Sequence, residues 1–195
     1  MPNGPNQLQS KIVADALNIA IPGIIKNITD DYVEVEVQQL EECLRWLRDS
    51  EEFDAAQLSN LCGVDYHDYF MVVYHLQSLD LNHQIVIKVR TQDHSDPTIP
   101  SAVPVYKGAL LQERETYDLM GIKFENHPDM RRLFLWDGFP GHPLRKDFLG
   151  IGNGRTSGLN RFPFENESDP VREINQDNRV GDDNSQESPS SWGGA

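Results

Sequence analysis

The sequence predicts an α+β fold: a mixed sheet of about five strands with helices packed on it, followed by an extended C-terminal segment. Three observations predict it. Apolar residues recur at helical spacing in three separate stretches. Alternating or β-branched runs come in pairs with short turn-like links, the pattern of hairpins. The resulting order, α-β-β-α-β-β-β-α, is not the strict βα alternation of a parallel sheet.

The first helix is read from Ile12, Val13, Ala16, Leu17 and Ala20, which share one face, and Pro22-Gly23 ends it. Ile24 to Ile28 reads as a short strand, Thr29-Asp30-Asp31 as its turn, and Tyr32 to Val37 as the returning strand, with Val33, Val35 and Val37 on one face and Glu34 and Glu36 on the other. A second helix begins near Gln38 with an apolar stripe of Leu40, Cys43, Leu44 and Leu47, and Arg45 and Arg48 suit the negative end of its dipole. Glu51 to Asp54 is a polar break; Gln57 to Asp65 fits strand or helix and is assigned as strand. Phe70 to Leu76 and Ile85 to Val89 form a second hairpin across Asp80-Leu81-Asn82-His83, and Asp93 to Pro100 reads as a polar loop. A third helix is expected from about Val103 to Met120, with Gly121 as its C-terminal cap.

Composition narrows the function classes. Among 195 residues the formal net charge is −14, which argues against a nucleic-acid binder and against direct adhesion to anionic lipid. The hydrophobic fraction of 38 % lies below the ~45–50 % of globular chains, so part of the chain is expected to stay outside the core. The apolar stretches fall short of the ~20 residues of a transmembrane helix, and the first residues lack the pattern of a secretory signal. Cys43 and Cys62 belong to no CxxC pair and read as small buried hydrophobes, and the six histidines miss the usual zinc spacings. No bound cofactor or metal is therefore expected. The division expected is an α+β domain over 1–124, a turn-rich docking segment over 125–154 and a polar, extended or disordered tail over 155–195.

The stretch from Glu113 to Leu149 concentrates the information. Glu113-Arg114-Glu115 and Asp118 crowd charge into about one helical turn, where Arg114 and Asp118, four apart, can pair. His127-Pro128 ends an extended run, Arg131-Arg132 follows, three turn signals come next, and Pro143-Leu144-Arg145-Lys146 closes the stretch. The charges fit a solvated helix face, acid–base chemistry by two carboxylates and His127, or oriented docking contacts on another subunit. No nucleophile elbow or phosphate-cradling loop accompanies them.

Taken together, Glu113, Arg114, Glu115, Asp118, Gly121, Ile122, Phe124, His127, Pro128, Arg131 and Arg132, followed by Pro143, Leu144, Arg145 and Lys146, resemble the signature of the 30-kDa subunit family of respiratory complex I. Its members are the C-type subunits of the bacterial proton-pumping NADH dehydrogenase and the J-type subunits of its chloroplast and cyanobacterial counterparts. The signature covers about a fifth of the chain, and Met120 stands where an aromatic is more usual. The resemblance implies a non-redox accessory subunit in the peripheral arm of a proton-pumping NADH (or ferredoxin):quinone oxidoreductase, at the cytoplasmic face of the bacterial inner membrane or the equivalent organelle membrane. It implies packing on the 49-kDa subunit and other peripheral-arm subunits, with the FMN, iron–sulfur clusters and quinone held elsewhere in the complex, and contact with the membrane only through that complex. Arg114, Arg131, Arg132, Arg145 and Lys146 then become structural or interface cations paired with carboxylates. The alternatives are the equivalent subunit of a related membrane-bound hydrogenase and a stand-alone acidic interaction module.

Overall fold

The computed structural model describes residues 4–148; the expected tail over 155–195 and the boundary at 154 lie outside the described residues. Its elements run β1 (Asn6–Gln7), α1 (Ser10–Ala20), β2 (Ile25–Ile28), β3 (Val33–Val35), a 3-10 turn (Val37–Gln39), α2 (Leu40–Asp49), β4 (Gln57–Asp65), β5 (Phe70–Ser78), β6 (His83–Arg90), β7 (Thr98–Pro100), α3 (Ala109–Met120) and β8 (Lys123–Glu125). The fold is α+β, as the pattern of the sequence implies. Among the described residues no helix is long and apolar enough to cross a membrane.

The main sheet has six strands, in the order β2-β3-β6-β5-β4, with β1 also on β6. The two hairpins are antiparallel, β2 with β3 and β5 with β6, and β4 joins β5 antiparallel. β3 and β1 both run parallel to β6, β3 beside Ile87 to Val89 and β1 beside His83 and Gln84. On one face Leu61, Tyr74 and Ile87 lie opposite one another across three strands, and Leu76 stands opposite Ile85. These side chains form one core with Val33 and Val35, with Leu17 of α1 and with Leu40, Cys43, Leu44 and Leu47 of α2. The opposite face carries Glu34, Lys88 and Arg90, where the Lys88 ammonium lies 3.7 Å from the centre of the Tyr32 ring and the Arg90 guanidinium 3.6 Å from that of Tyr69.

Four expectations change. α1 buries Val13, Ala14 and Leu17, while Ile12 is 44 % exposed and Ala20 is exposed. Helical period alone does not set the phase of the stripe, and packing against β2 and β3 rotates it by about one residue. The third helix starts at Ala109 rather than Val103, because 102–108 winds as turns that carry the Tyr106 hydroxyl inward to the Ala55 carbonyl, 2.7 Å away. The loop at 93–100 contains β7, which pairs parallel with β8 through Ile99 and Phe124. The strand count rises from about five to six in the main sheet because β1, two polar residues, is held by backbone bonds alone, Asn6 N–H to the Asn82 carbonyl and Leu8 N–H to that of Gln84, both 3.0 Å. Strands of two or three residues are too short to show a period.

α3 lies against β4, and Gln112 covers part of that strand's outer edge by accepting the Leu61 N–H. The close approach depends on Gly63: a Cβ there would sit 2.7 Å from the Met120 sulfur and 3.0 Å from methyls of Ile122 and Thr116. Gly63→Ala is expected to destabilise the domain by about 1–3 kcal/mol, the usual cost of overpacking, read as a lower urea midpoint at unchanged slope. Met120→Ala in the same chain should recover part of the loss, and an unshifted midpoint for Gly63→Ala would refute the close approach.

Candidate functional site

α3 distributes its charged residues to different neighbours. Asp118 is fully buried. Its Oδ2 accepts the N–H groups of Leu133 (3.0 Å), Phe134 (2.7 Å) and Leu135 (2.9 Å), and its Oδ1 accepts Arg132 Nη1 at 3.0 Å. The other terminal nitrogen of Arg132 donates to the carbonyls of Phe139 (3.2 Å) and Gly141 (3.1 Å). Leu144 N–H donates to the Leu119 carbonyl at 2.9 Å. One side chain of the helix thus gathers backbone and guanidinium donors from the turn-rich segment that follows β8.

Arg114 does not pair with Asp118, the i,i+4 partner that helical spacing offers. Its guanidinium donates to the carbonyls of Arg131 (3.2 Å) and Arg132 (3.1 Å) and lies 3.5 Å from Asp129. Asp118 is already filled by Arg132 and three amides, and the carbonyls beside Arg114 need donors. Arg131, by contrast, points outward, its side chain 72 % exposed and 3.0 Å from Asp129.

Gly121 ends α3 in the left-handed region, φ +76°, with its N–H on the Tyr117 carbonyl at 2.8 Å. The His142 ring lies directly on it; a Cβ at this position would be 2.6 Å from the ring. His142 Nδ1 is 2.9 Å from the Asp118 carbonyl, which can only accept, so that nitrogen carries the proton. Burial, with the Arg132 and Arg145 charges behind it, lowers the His142 pKa and keeps the ring neutral near pH 7, although the Asp118 carbonyl pulls the other way.

Glu113 points elsewhere. It is fully buried and accepts the Ser101 hydroxyl (2.7 Å) and the Ala102 N–H (2.6 Å), tying α3 to the turn before it. His127, with a fully enclosed side chain, lies 4.0 Å away. Its Nδ1 accepts the Asp129 N–H at 3.0 Å and its Nε2 donates to the Leu110 carbonyl at 3.0 Å, which defines a neutral ring. The two residues that acid–base chemistry would use are therefore both enclosed and engaged with backbone.

Asp65, which the sequence did not single out, anchors the far end of the segment. At the end of β4 it accepts the Lys146 N–H (2.9 Å), the His67 N–H (2.7 Å) and His94 Nε2 (3.2 Å). Arg145 donates to the His94 carbonyl and lies over the Phe70 ring, on which His94 also stacks at 4.4 Å. Lys146 thus contributes its backbone; its side chain meets no carboxylate among the described residues. Asp65 and Lys146 are 81 positions apart, and only the turn-forming Asp at a strand end could have drawn attention to it.

The remaining motif residues face out. Glu115 and Pro128 are exposed and Pro143 is half-buried. Phe134 and Leu144 are 65 % and 59 % exposed, because the N–H groups around Phe134 turn inward to Asp118. Among the described residues no group of three or more His, Cys, Asp or Glu is placed to hold a metal ion.

The two buried acids titrate in opposite senses. For Asp118 burial would raise the pKa, but the three amides and Arg132 outweigh it and hold the carboxyl below its ordinary value. For Glu113 burial dominates, and the Ser101 and Ala102 bonds pull it back only to about 7.

Residues 33–153 match the model of the family described as respiratory-chain NADH dehydrogenase, 30 Kd subunit. The C subunit of the NADH-quinone oxidoreductase of Maricaulis maris is 41 % identical over 139 residues, 70 % of this chain and 68 % of that protein. Its namesake in Methylobacillus flagellatus is 42 % identical over 130 residues, 62 % and 66 % of the two chains. Other relatives of the same name are matched over only about half their length, 52 % for that of a Caulobacter species. The C/D subunit of the NADH-quinone oxidoreductase of Phocaeicola vulgatus is 42 % identical over 117 residues, 60 % of this chain but 22 % of that longer protein. A chain of the membrane-bound sulfane sulfur reductase, an archaeal respiratory membrane complex, shares the fold at a TM-score of 0.60 and 20 % identity, over 82 % of this chain and 94 % of that one.

Neighbouring arginines should behave differently. Arg132→Ala strands the buried Asp118 charge and is expected to cost ~3–5 kcal/mol, whereas Arg131→Ala removes a surface pair worth ~0–1 kcal/mol. Urea unfolding of the two variants checks this, and equal losses would contradict the assignment. For Glu113 the folded pKa lies above the unfolded value of ~4.5, so its contribution is complete below that pH and is lost as pH rises through about 7. The stability difference between the natural chain and Glu113→Gln should therefore shift by ~3 kcal/mol between pH 4.5 and 7.5, in favour of the variant at high pH. Parallel stability–pH curves would show that Glu113 does not ionise in this window.

Proposed function

The chain belongs to the respiratory-chain NADH dehydrogenase 30 Kd subunit family, and from that premise we propose that it is a non-redox accessory subunit of the peripheral arm of a proton-pumping NADH (or ferredoxin):quinone oxidoreductase. Its role is to stabilise the quinone-reducing module by docking on the 49-kDa subunit. FMN, iron–sulfur clusters and quinone belong to the other subunits. The chain reaches the cytoplasmic face of the membrane, or its organelle equivalent, only through them.

The observation that carries this reading is the internal use of the family motif. Glu113, Arg114, Asp118, His127 and Arg132 are occupied in holding the 126–148 segment on α3. What the segment presents outward is apolar, with Phe134 and Leu144 mostly exposed. A rigid, turn-rich ridge with protruding apolar side chains suits protein contact, in which a few anchors carry most of the energy. The relative whose name joins C and D, in which this sequence fills 22 % of a longer chain, supports the D-type subunit as the neighbour.

Phe134→Ser tests the reading in the native complex. Because the side chain is mostly exposed, the isolated chain should keep its stability within ~0.5 kcal/mol. Loss of an anchor worth ~2 kcal/mol lowers association about thirtyfold. Less complex on a native gel, with normal quinone-reductase turnover per assembled complex, is expected. Normal abundance with lost turnover would place the residue in the chemistry instead, and no change in either would exclude this ridge from docking.

A further inference from the structure

Glu115 is the motif carboxylate that the clamp does not use. It is exposed on α3 and makes no hydrogen bond or ion pair among the described residues. Beside it, at the seam between α3 and β4, runs a groove of about 80 Å³ lined by Cys62, Gly63, Leu119, Met120 and Leu144. Leu111, four residues before Glu115 and so on the same side of the helix, is 53 % exposed. The groove is too small for a flavin or a quinone, since small-molecule sites run ~300–1,000 Å³. It has room for part of one side chain.

The chemistry of the lining narrows that side chain. The walls are apolar and the rim carries one unpaired carboxylate. An apolar stem with a cationic head satisfies both, the stem lying on the walls and the head reaching the rim. Arginine fits better than lysine, because its planar fork meets a carboxylate with two parallel bonds. A neutral or acidic segment would leave Glu115 without a partner beside a newly dried surface, which costs rather than gains energy. We propose that the α3–β4 seam is a notch that receives a cationic side chain, arginine by preference, from a neighbouring protein subunit, with its stem against Leu119, Met120 and Leu144 and its head on Glu115. The proposal rests on the assembly role above and adds to it the chemistry of one contact.

The test uses the full chain in its native complex, with the photo-reactive residue benzoylphenylalanine in place of Leu144 and mass-spectrometric sequencing of the cross-linked peptides. The expected cross-link joins this position to another polypeptide of the complex, within a few residues of an arginine or lysine. Glu115→Arg should reduce that cross-link roughly tenfold or more and Glu115→Gln by less, while both isolated chains keep the natural melting curve. Changing the identified basic residue to Glu should restore the cross-link to Glu115→Arg. The notch is overturned by a cross-link to residues 149–195 of the same chain, by one to a stretch without a basic residue, by no cross-link in the assembled complex, or by a cross-link indifferent to Glu115→Arg. Recovery of the natural chain with no other polypeptide would instead overturn the assembly role itself.

Discussion

A single buried carboxylate fixes the geometry of the functional half of this molecule. Asp118 has no access to water, and an ionised carboxylate in that position is tolerable only if its oxygens are filled. Three successive amides and one guanidinium fill them. Each donor comes from the 132–135 stretch, so satisfying the charge and placing the segment are one event. The segment buries little apolar surface of its own, Phe139 being its one buried large side chain among the described residues. Polar contacts therefore set its course, and polar contacts, unlike apolar ones, specify direction.

The same logic runs through the other anchors. Glu113 ties the middle of α3 to the turn before it, His127 ties the turn after β8 to the first turn of α3, and Asp65 ties the segment's end to the sheet. Glu113 and Asp118 are five residues apart, which on a helix turns them to well-separated faces. That separation lets one helix hold two different loops. α3 buries two acids, which is why its apolar stripe is weak and its exposed face keeps room for Leu111 and Glu115.

The arrangement divides the motif between two tasks. Residues that look equally charged in the sequence separate into a group that is spent within the subunit and a smaller group, Glu115, Arg131 and Lys146, that faces out. Assembly then depends on both groups by different routes. The inner group makes the ridge rigid before a partner arrives, which lowers the ordering cost of association. The outer group meets the partner.

The amino-acid sequence alone determined the kinds of element, both hairpins, the stripe of α2, the glycine cap at Gly121 and the family signature. Each of these is local: the period of a helix or strand, a turn dipeptide, or residue types at fixed short spacing. The tertiary structure decided the phase of α1, the pairing of β1 and β7, the strand order and the partner of every motif charge. Arg114 and Asp118 had the right spacing to pair, yet Asp118 took Arg132, 14 positions away, and three amides beyond it. The physical reason is that spacing limits only which neighbours a side chain can reach along its own element. Which partner it takes is settled by desolvation, because a buried charge must collect every donor that packing brings to it, and packing joins residues as far apart as Asp65 and Lys146.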